Sequence, residues 1–221
     1  MDRRLELAER IVAMTPGFTF VSQTRSRGVR RCSDFEYPRK AAANFPLSTT
    51  VRIEMGTRGG VQPSAVRSIR SYVAEFAAAN RFADLADDLG SFDVECLDVT
   101  RTCVEKLFAV HAAFEKDRAK GRMRHYYDLY KLTGLEEVQR FLVGDEYAPV
   151  YKDVEKYSRE NWPEASLPPD GRFSQSRAFN PTGENLAVLK RYYESEHPLF
   201  FVNPPAIDEV LARLREVVAA I

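Results

Sequence analysis

The sequence has no long apolar run, no excess of either charge, and little cysteine or histidine, and each shortage removes a class of protein. No window approaches the roughly 20 uncharged apolar residues that a membrane helix requires, so no spanning helix is expected. The opening residues, Met1-Asp2-Arg3-Arg4-Leu5-Glu6-Leu7, mix both charge signs and hold no apolar signal core. A cytoplasmic protein is therefore expected. Lys plus Arg and Asp plus Glu each number 32, which leaves no global field to gather nucleic acid. Cys32, Cys96 and Cys103 are scattered without a Cys-x-x-Cys pair, so free thiols are expected rather than disulfides or a zinc site. His111, His125 and His197 lie too far apart in sequence for a metal motif, and each reads as structural or exposed. No Gly-x-Ser-x-Gly elbow, Walker loop or dinucleotide fingerprint occurs, and no repeat or low-complexity segment.

What is present is ordinary globular composition, 44% hydrophobic and 29% charged, over 221 residues, enough for one large domain or two small ones. Leu5, Ala8, Ile11 and Val12 fall on one face of a helix over residues 2–14, which Thr15-Pro16-Gly17 stops. Strand-like segments follow at 18–22 and 35–40. Thr50-Val51-Arg52-Ile53-Glu54-Met55 alternates, with Val51, Ile53 and Met55 on one face and Arg52 and Glu54 on the other, which predicts a half-buried strand. A helix is expected over 72–80 and a strand over 92–99. From Thr100 onward the pattern is helical, with segments at about 100–114, 122–132, 135–143, 147–160, 185–194 and 207–221 and an irregular, proline-bearing connection from Trp162 to Asn185. Thr100 or Thr102 would cap the first of these helices. Strands first and helices last predict an α+β fold, with a small antiparallel or mixed sheet in the N-terminal half and a helical C-terminal half. The expected division is a sheet-containing portion at 1–100 and a helical domain at 101–221.

Local charge is less even than the total. Arg25, Arg27, Arg30, Arg31, Arg39 and Lys40 are opposed in the same stretch only by Asp34 and Glu36. A solvated hairpin loop is the ordinary reading; a phosphate- or RNA-binding module is the alternative.

The chemically telling stretch runs from Glu105 to Leu132. The helix carrying Val104, Leu107, Phe108 and His111 is apolar almost all round, which marks a buried element, yet Lys106 sits on it among Cys103, Ala109, Val110 and Ala113. A lysine so placed must snorkel to water, pair with an acid or face an anion. In Arg122-Met123-Arg124-His125-Tyr126-Tyr127-Asp128-Leu129-Tyr130, bases crowd the first turn against the helix dipole. An Arg124–Asp128 pair would have the weaker base-before-acid orientation. Both features point to charges that serve something outside the helix. The three tyrosines read as core packing before they read as a base-stacking platform.

These residues resemble the two C-terminal motifs of the AbiEii nucleotidyltransferase toxins: Glu105-Lys106-Leu107 with Ala109, a basic loop, then Arg124-His125-Tyr126-Tyr127-Asp128-Leu129-Tyr130. Strand 51–55 and the tail from Tyr192 through Pro204-Pro205 to Leu211 are similar to the family as well, so the resemblance spans about Phe35 to the end. It implies a polymerase-β-like fold and a toxin of a bacterial toxin–antitoxin or phage-defence system. It implies transfer of nucleotides from a nucleoside triphosphate (NTP) to RNA such as tRNA, magnesium as cofactor, and a cognate antitoxin. Carried over residue by residue, Lys106 and Arg124 would contact the nucleotide, and Asp128 would position Lys106 or assist proton transfer. Glu54 would match the third metal-binding carboxylate. His125 stands where the family pattern has aspartate.

The glycine turn followed by Asp-x-Asp that holds phosphates and metals in such enzymes is not found. Met55-Gly56-Thr57-Arg58-Gly59-Gly60 has glycines without the acids. Asp84, Asp87 and Asp88 follow the carboxylate strand instead of preceding it, and Asp34-x-Glu36 has no glycine turn before it. The expectation is a transferase lacking its front end, with that end encoded upstream, lost in a non-catalytic scaffold, or supplied by a separate polypeptide.

Overall fold

The computed structural model describes residues 2–26, 30–39, 48–56, 60–80, 82, 90–162, 166–200 and 203–221, and of residues 2–5, 25 and 26 the backbone alone. The fold is α+β, with antiparallel sheets in the N-terminal half and helices in the C-terminal half. The N-terminal half opens with helix α1 (Asp2–Met14), followed by strands β1 (Thr19–Ser26), β2 (Arg30–Glu36) and β3 (Thr50–Gly56), an antiparallel sheet in the order β1-β2-β3. β2 is central, which accounts for its burial from Cys32 through Phe35. Its polar groups are satisfied from both sides. Ser33 donates to Glu9 of α1, and Asp34 accepts both Arg52 nitrogens at 2.6 and 2.8 Å together with the Ser22 hydroxyl at 3.2 Å. The bidentate Arg52 guanidinium holds the Asp34 carboxyl below the usual carboxylate range.

This sheet corrects the reading of the basic run as a loop. Arg25 ends β1 and Arg30 and Arg31 begin β2, paired as a hairpin through Arg25↔Arg31 and Ser26↔Arg30. The sequence Arg-Arg-Cys-Ser-Asp shows no apolar alternation because both faces of the strand carry polar partners. Arg30 is ion-paired to Glu54 at 2.7 Å, which weakens the RNA-binding alternative. Residues 27–29 and Lys40 lie outside the described residues.

A second hairpin pairs β4 (Ser64–Ile69) with β5 (Phe92–Leu97), in register from Ser64↔Leu97 to Ile69↔Phe92. β4 was not expected: its only large apolar residues, Val66 and Ile69, do not alternate. Between the strands lies α2 (Tyr72–Ala79), whose first turn is capped by the Ser71 hydroxyl accepting from the Ala74 N–H at 3.1 Å.

The helices are α3 (Val99–Glu115), α4 (Met123–Leu132), α5 (Glu136–Leu142), α6 (Tyr147–Asn161), α7 (Gly183–Glu196) and α8 (Ile207–Ala220). The cap of α3 is Asp98, not Thr100 or Thr102. Its carboxylate accepts from the Thr100 N–H at 2.9 Å and the Thr100 hydroxyl at 2.6 Å, so the threonine orients the cap rather than forming it. Cys103, Val104, Leu107 and Val110 of α3 join Met123 and Leu129 of α4, Val138 of α5, Leu189 of α7 and Leu211 and Leu214 of α8 in one buried cluster. The connection after Trp162 also enters this core. Two short 3-10 turns bring in Phe173 and Phe179, with Phe173 edge-on to Phe108 at 5.0 Å. Tyr126 is buried and donates to the Ala178 carbonyl at 2.9 Å, and Tyr127 stacks on Phe200 at 4.9 Å, so these tyrosines pack as expected.

Burial is thus concentrated in the helices, and truncation costs should follow it. Leu107→Ala should lower unfolding free energy by roughly 2–5 kcal/mol, as for core leucines generally, whereas Phe76→Ala, on the exposed side of α2, should change it by about 0.5 kcal/mol or less. Urea denaturation of both variants checks this contrast.

Candidate functional site

Lys106 of α3 and Asp128 of α4 form an ion pair, Nζ to Oδ2 2.7 Å, at the junction of the two helices. His125 joins them from one helical turn before Asp128, its Nδ1 3.4 Å from the ammonium. An ammonium has donors only, so Nδ1 accepts and the imidazole proton sits on Nε2. The ring is neutral at pH 7: burial, then the charges of Lys106, Arg124 and Arg122, pull its pKa down to about 4. Asp128 alone of the two carries the charge that balances Lys106.

The start of α4 explains how this geometry survives an unfavourable sequence. No side chain of its own caps it. Instead, buried Glu196, the last residue of α7, accepts the Gly121 N–H at 2.8 Å and the Arg124 N–H at 3.3 Å. A carboxylate there complements the positive end of the helix dipole and offsets Arg122 and Arg124. Gly121, at φ +77°, supplies the left-handed turn that presents its N–H. The sequence does carry a signal for this contact. Leu189, Tyr193 and Glu196 share the buried stripe of α7, and a carboxylate on such a stripe requires a partner.

A cleft of about 750 Å³ opens beside Lys106. Thr102, Lys106, Ala109 and Ala113, one face of α3, form its floor. Lys116, Arg118 and Arg122 of the α3–α4 connection line one side, and Tyr157 and Trp162 of α6 and its end line another. The cleft contains a single acid, Glu105, and Arg101 Nε donates to it at 2.9 Å. The side chains of Lys116, Arg118 and Arg122 have no acidic partner among the described residues. The result is a nucleotide-sized cleft lined by three cations without an ion pair among the described residues, beside the Lys106–Asp128 pair.

Of the sequence-predicted site residues, Lys106 and Asp128 are brought together. The Arg124 side chain is exposed outside the cleft lining, and it acts on the site through its charge beside His125. Glu54 lies on β3 in its pair with Arg30 and is not among the cleft residues. His125, expected to be structural or exposed, is a member of the site. Asp84, Asp87, Asp88 and residues 57–59 of the glycine-bearing turn lie outside the described residues.

The family model of the nucleotidyl transferase AbiEii toxin, from type IV toxin–antitoxin systems, matches residues 2–213. The chain belongs to the AbiEii nucleotidyltransferase toxin family. The match extends the resemblance forward through the first hairpin and α1. Neither a curated protein nor a solved structure matches the chain. Nucleotidyl transfer in this family suggests a divalent metal, but no three His, Cys, Asp or Glu side chains gather to hold one among the described residues. Asp128, Glu54, Asp34 and Glu105 are each committed to a lysine or arginine instead, so they do not fit a metal centre.

The depressed pKa of His125 has a consequence for stability. The unfolded chain takes up a proton at this residue as pH falls through its ordinary value, near 6.5, whereas the folded chain resists until about 4. The stabilisation is therefore fully present above pH 6.5 and is lost progressively toward pH 4. Unfolding free energy should be lower at pH 5 than at pH 7 by roughly 2 kcal/mol on this account. His125→Asn should remove that share of the difference in paired urea titrations.

Proposed function

We propose that this chain binds an NTP in the cleft beside Lys106 and transfers its nucleotidyl group to RNA such as tRNA, acting in the cytoplasm as a toxin restrained by a cognate antitoxin. One observation carries the reading: Lys106, Lys116, Arg118 and Arg122 line a cleft whose single lining acid, Glu105, is already ion-paired to Arg101. Such a site favours a ligand with several negative charges. The helical portion at 101–221 would carry the phosphate site, to whose lining the portion at 1–100 adds Gly60.

In this reading Lys106 meets the triphosphate as a compact cation, and Asp128 and His125 hold its ammonium in place. An acceptor hydroxyl oxygen bonds to the α-phosphorus as the bond to pyrophosphate breaks, and the hydroxyl proton is released to water. Charge then gathers on the departing pyrophosphate, where the cations of the α3–α4 connection stabilise it more than they stabilise the substrate. Magnesium remains an expectation from the family and has no place in these steps.

A second reading, a non-catalytic interaction or regulatory protein that keeps the scaffold, draws on the absence of a gathered carboxylate set among the described residues. One experiment separates the two. NTPs labelled at the α-phosphate are incubated with total tRNA and magnesium, and equilibrium binding of the same nucleotides is measured alongside. A transferase labels the RNA, and Lys106→Ala should weaken nucleotide binding about tenfold, the scale of one charge-assisted contact. Asp128→Ala should lower transfer more than binding. Binding without transfer for any of the four nucleotides favours the scaffold.

A further inference from the structure

Lys106, Lys116, Arg118 and Arg122 give the cleft its charge; two aromatic residues, Tyr157 and Trp162, line the same cleft and add none. Tyr157 is half-buried and is held in place, because the Arg101 guanidinium lies 5.7 Å from its ring centroid. Arg101 is itself immobilised by Glu105 at 2.9 Å and Asp153 at 2.6 Å. Trp162, one helical turn on, caps the end of α6 and leaves 38% of its surface exposed while lining the same cleft. Ala109 and Ala113 line the same cleft, and their small side chains leave room for a flat group.

We propose that Tyr157 and Trp162 form the nucleobase platform for the triphosphate whose phosphates rest on Lys106, Arg118 and Arg122; this rests on the nucleotide reading of the cleft. A ligand of phosphates alone would draw only on the cations, whereas a nucleotide draws on the cations and the aromatic rings of one cleft. A base at the end of an acceptor RNA has the same π face. Because Lys106 lines the same cleft as Tyr157 and Trp162, the platform is assigned to the nucleotide that Lys106 holds. Stacking on such a wall accepts any base, so discrimination among the four nucleotides falls to the hydroxyls of Thr102 and Ser158, which also line the cleft.

The chain has one tryptophan, so its emission reports this site alone. The full chain is titrated separately with ATP, with inorganic tripolyphosphate, and with a short RNA oligonucleotide lacking a terminal phosphate, while heats of binding and tryptophan emission are recorded together. ATP should change the emission, and tripolyphosphate should bind without changing it. Trp162→Leu and Tyr157→Leu should each raise the Kd for ATP about tenfold and leave that for tripolyphosphate unaltered, while Trp162→Phe restores most of the loss. ATP binding with unchanged emission and unchanged affinity in both leucine variants overturns the platform and leaves the nucleotide site standing. An emission change produced by the oligonucleotide and not by ATP also overturns it. If neither ATP nor tripolyphosphate binds, the nucleotide reading itself fails and the platform goes with it.

Discussion

A guanidinium taken out of water must find acceptors, and Arg101 finds them on three different segments. Its side chain is almost wholly buried, yet it donates to Glu105 one turn ahead on α3, to Asp153 on α6 and to the Gln62 carbonyl that leads into β4. Removing any one of these would leave a buried charge short of a partner, a cost of several kcal/mol in general. The hairpin approach, α3 and α6 are therefore set relative to one another by a single group. Gly60 belongs to the same arrangement. A Cβ there would fall 1.7 Å from Arg101 Nη2, so only a bare backbone can lie against the guanidinium. The cleft described above is lined from elements that Arg101 joins, and its one acid, Glu105, is ion-paired to Arg101.

How much of this could be read from the sequence varied with how each residue meets its neighbours. The helices were legible because their apolar residues recur at helical spacing, whether the structure buries them or not, and β3 because Val51, Ile53 and Met55 alternate with Arg52 and Glu54. β2 was not, since Ser33 and Asp34 are buried by partners far along the chain, Glu9 and Arg52. Lys106 and Asp128 were legible as a pair through a family pattern and through the oddity of a lysine on an apolar helix. His125 was passed over because a lone histidine on a helix has no local mark of its surroundings. Only tertiary packing sets it beside an ammonium and lowers its basicity.

The two halves of the chain solve the burial problem differently. In the helical half the apolar side chains meet one another, from Cys103 through Val218. In the N-terminal half, Cys32, Phe35, Ala74 and Ala77 are buried, while Leu7, Ile11 and Met14 of α1 and Tyr72, Val73 and Phe76 of α2 remain exposed. The sheet half is held largely by hydrogen-bonded polar contacts such as Arg52–Asp34 and Ser33–Glu9, which stabilise less per contact than close-packed leucine. The site sits on the better-buried half, where α3 and α4 are braced on several sides.

The Glu196 contact carries a lesson about modularity. Lys106, His125 and Asp128 lie within a stretch of chain that looks self-contained, yet the helix bearing two of them begins on a carboxylate more than seventy positions further on. Contiguity in the polypeptide and contiguity in the working part are different things here. A fragment ending after α6 would retain every residue of the motif and lose the anchor that fixes where α4 starts. The smallest piece able to display this site must include α7, so its boundary is set by a hydrogen bond and not by the extent of a recognisable motif.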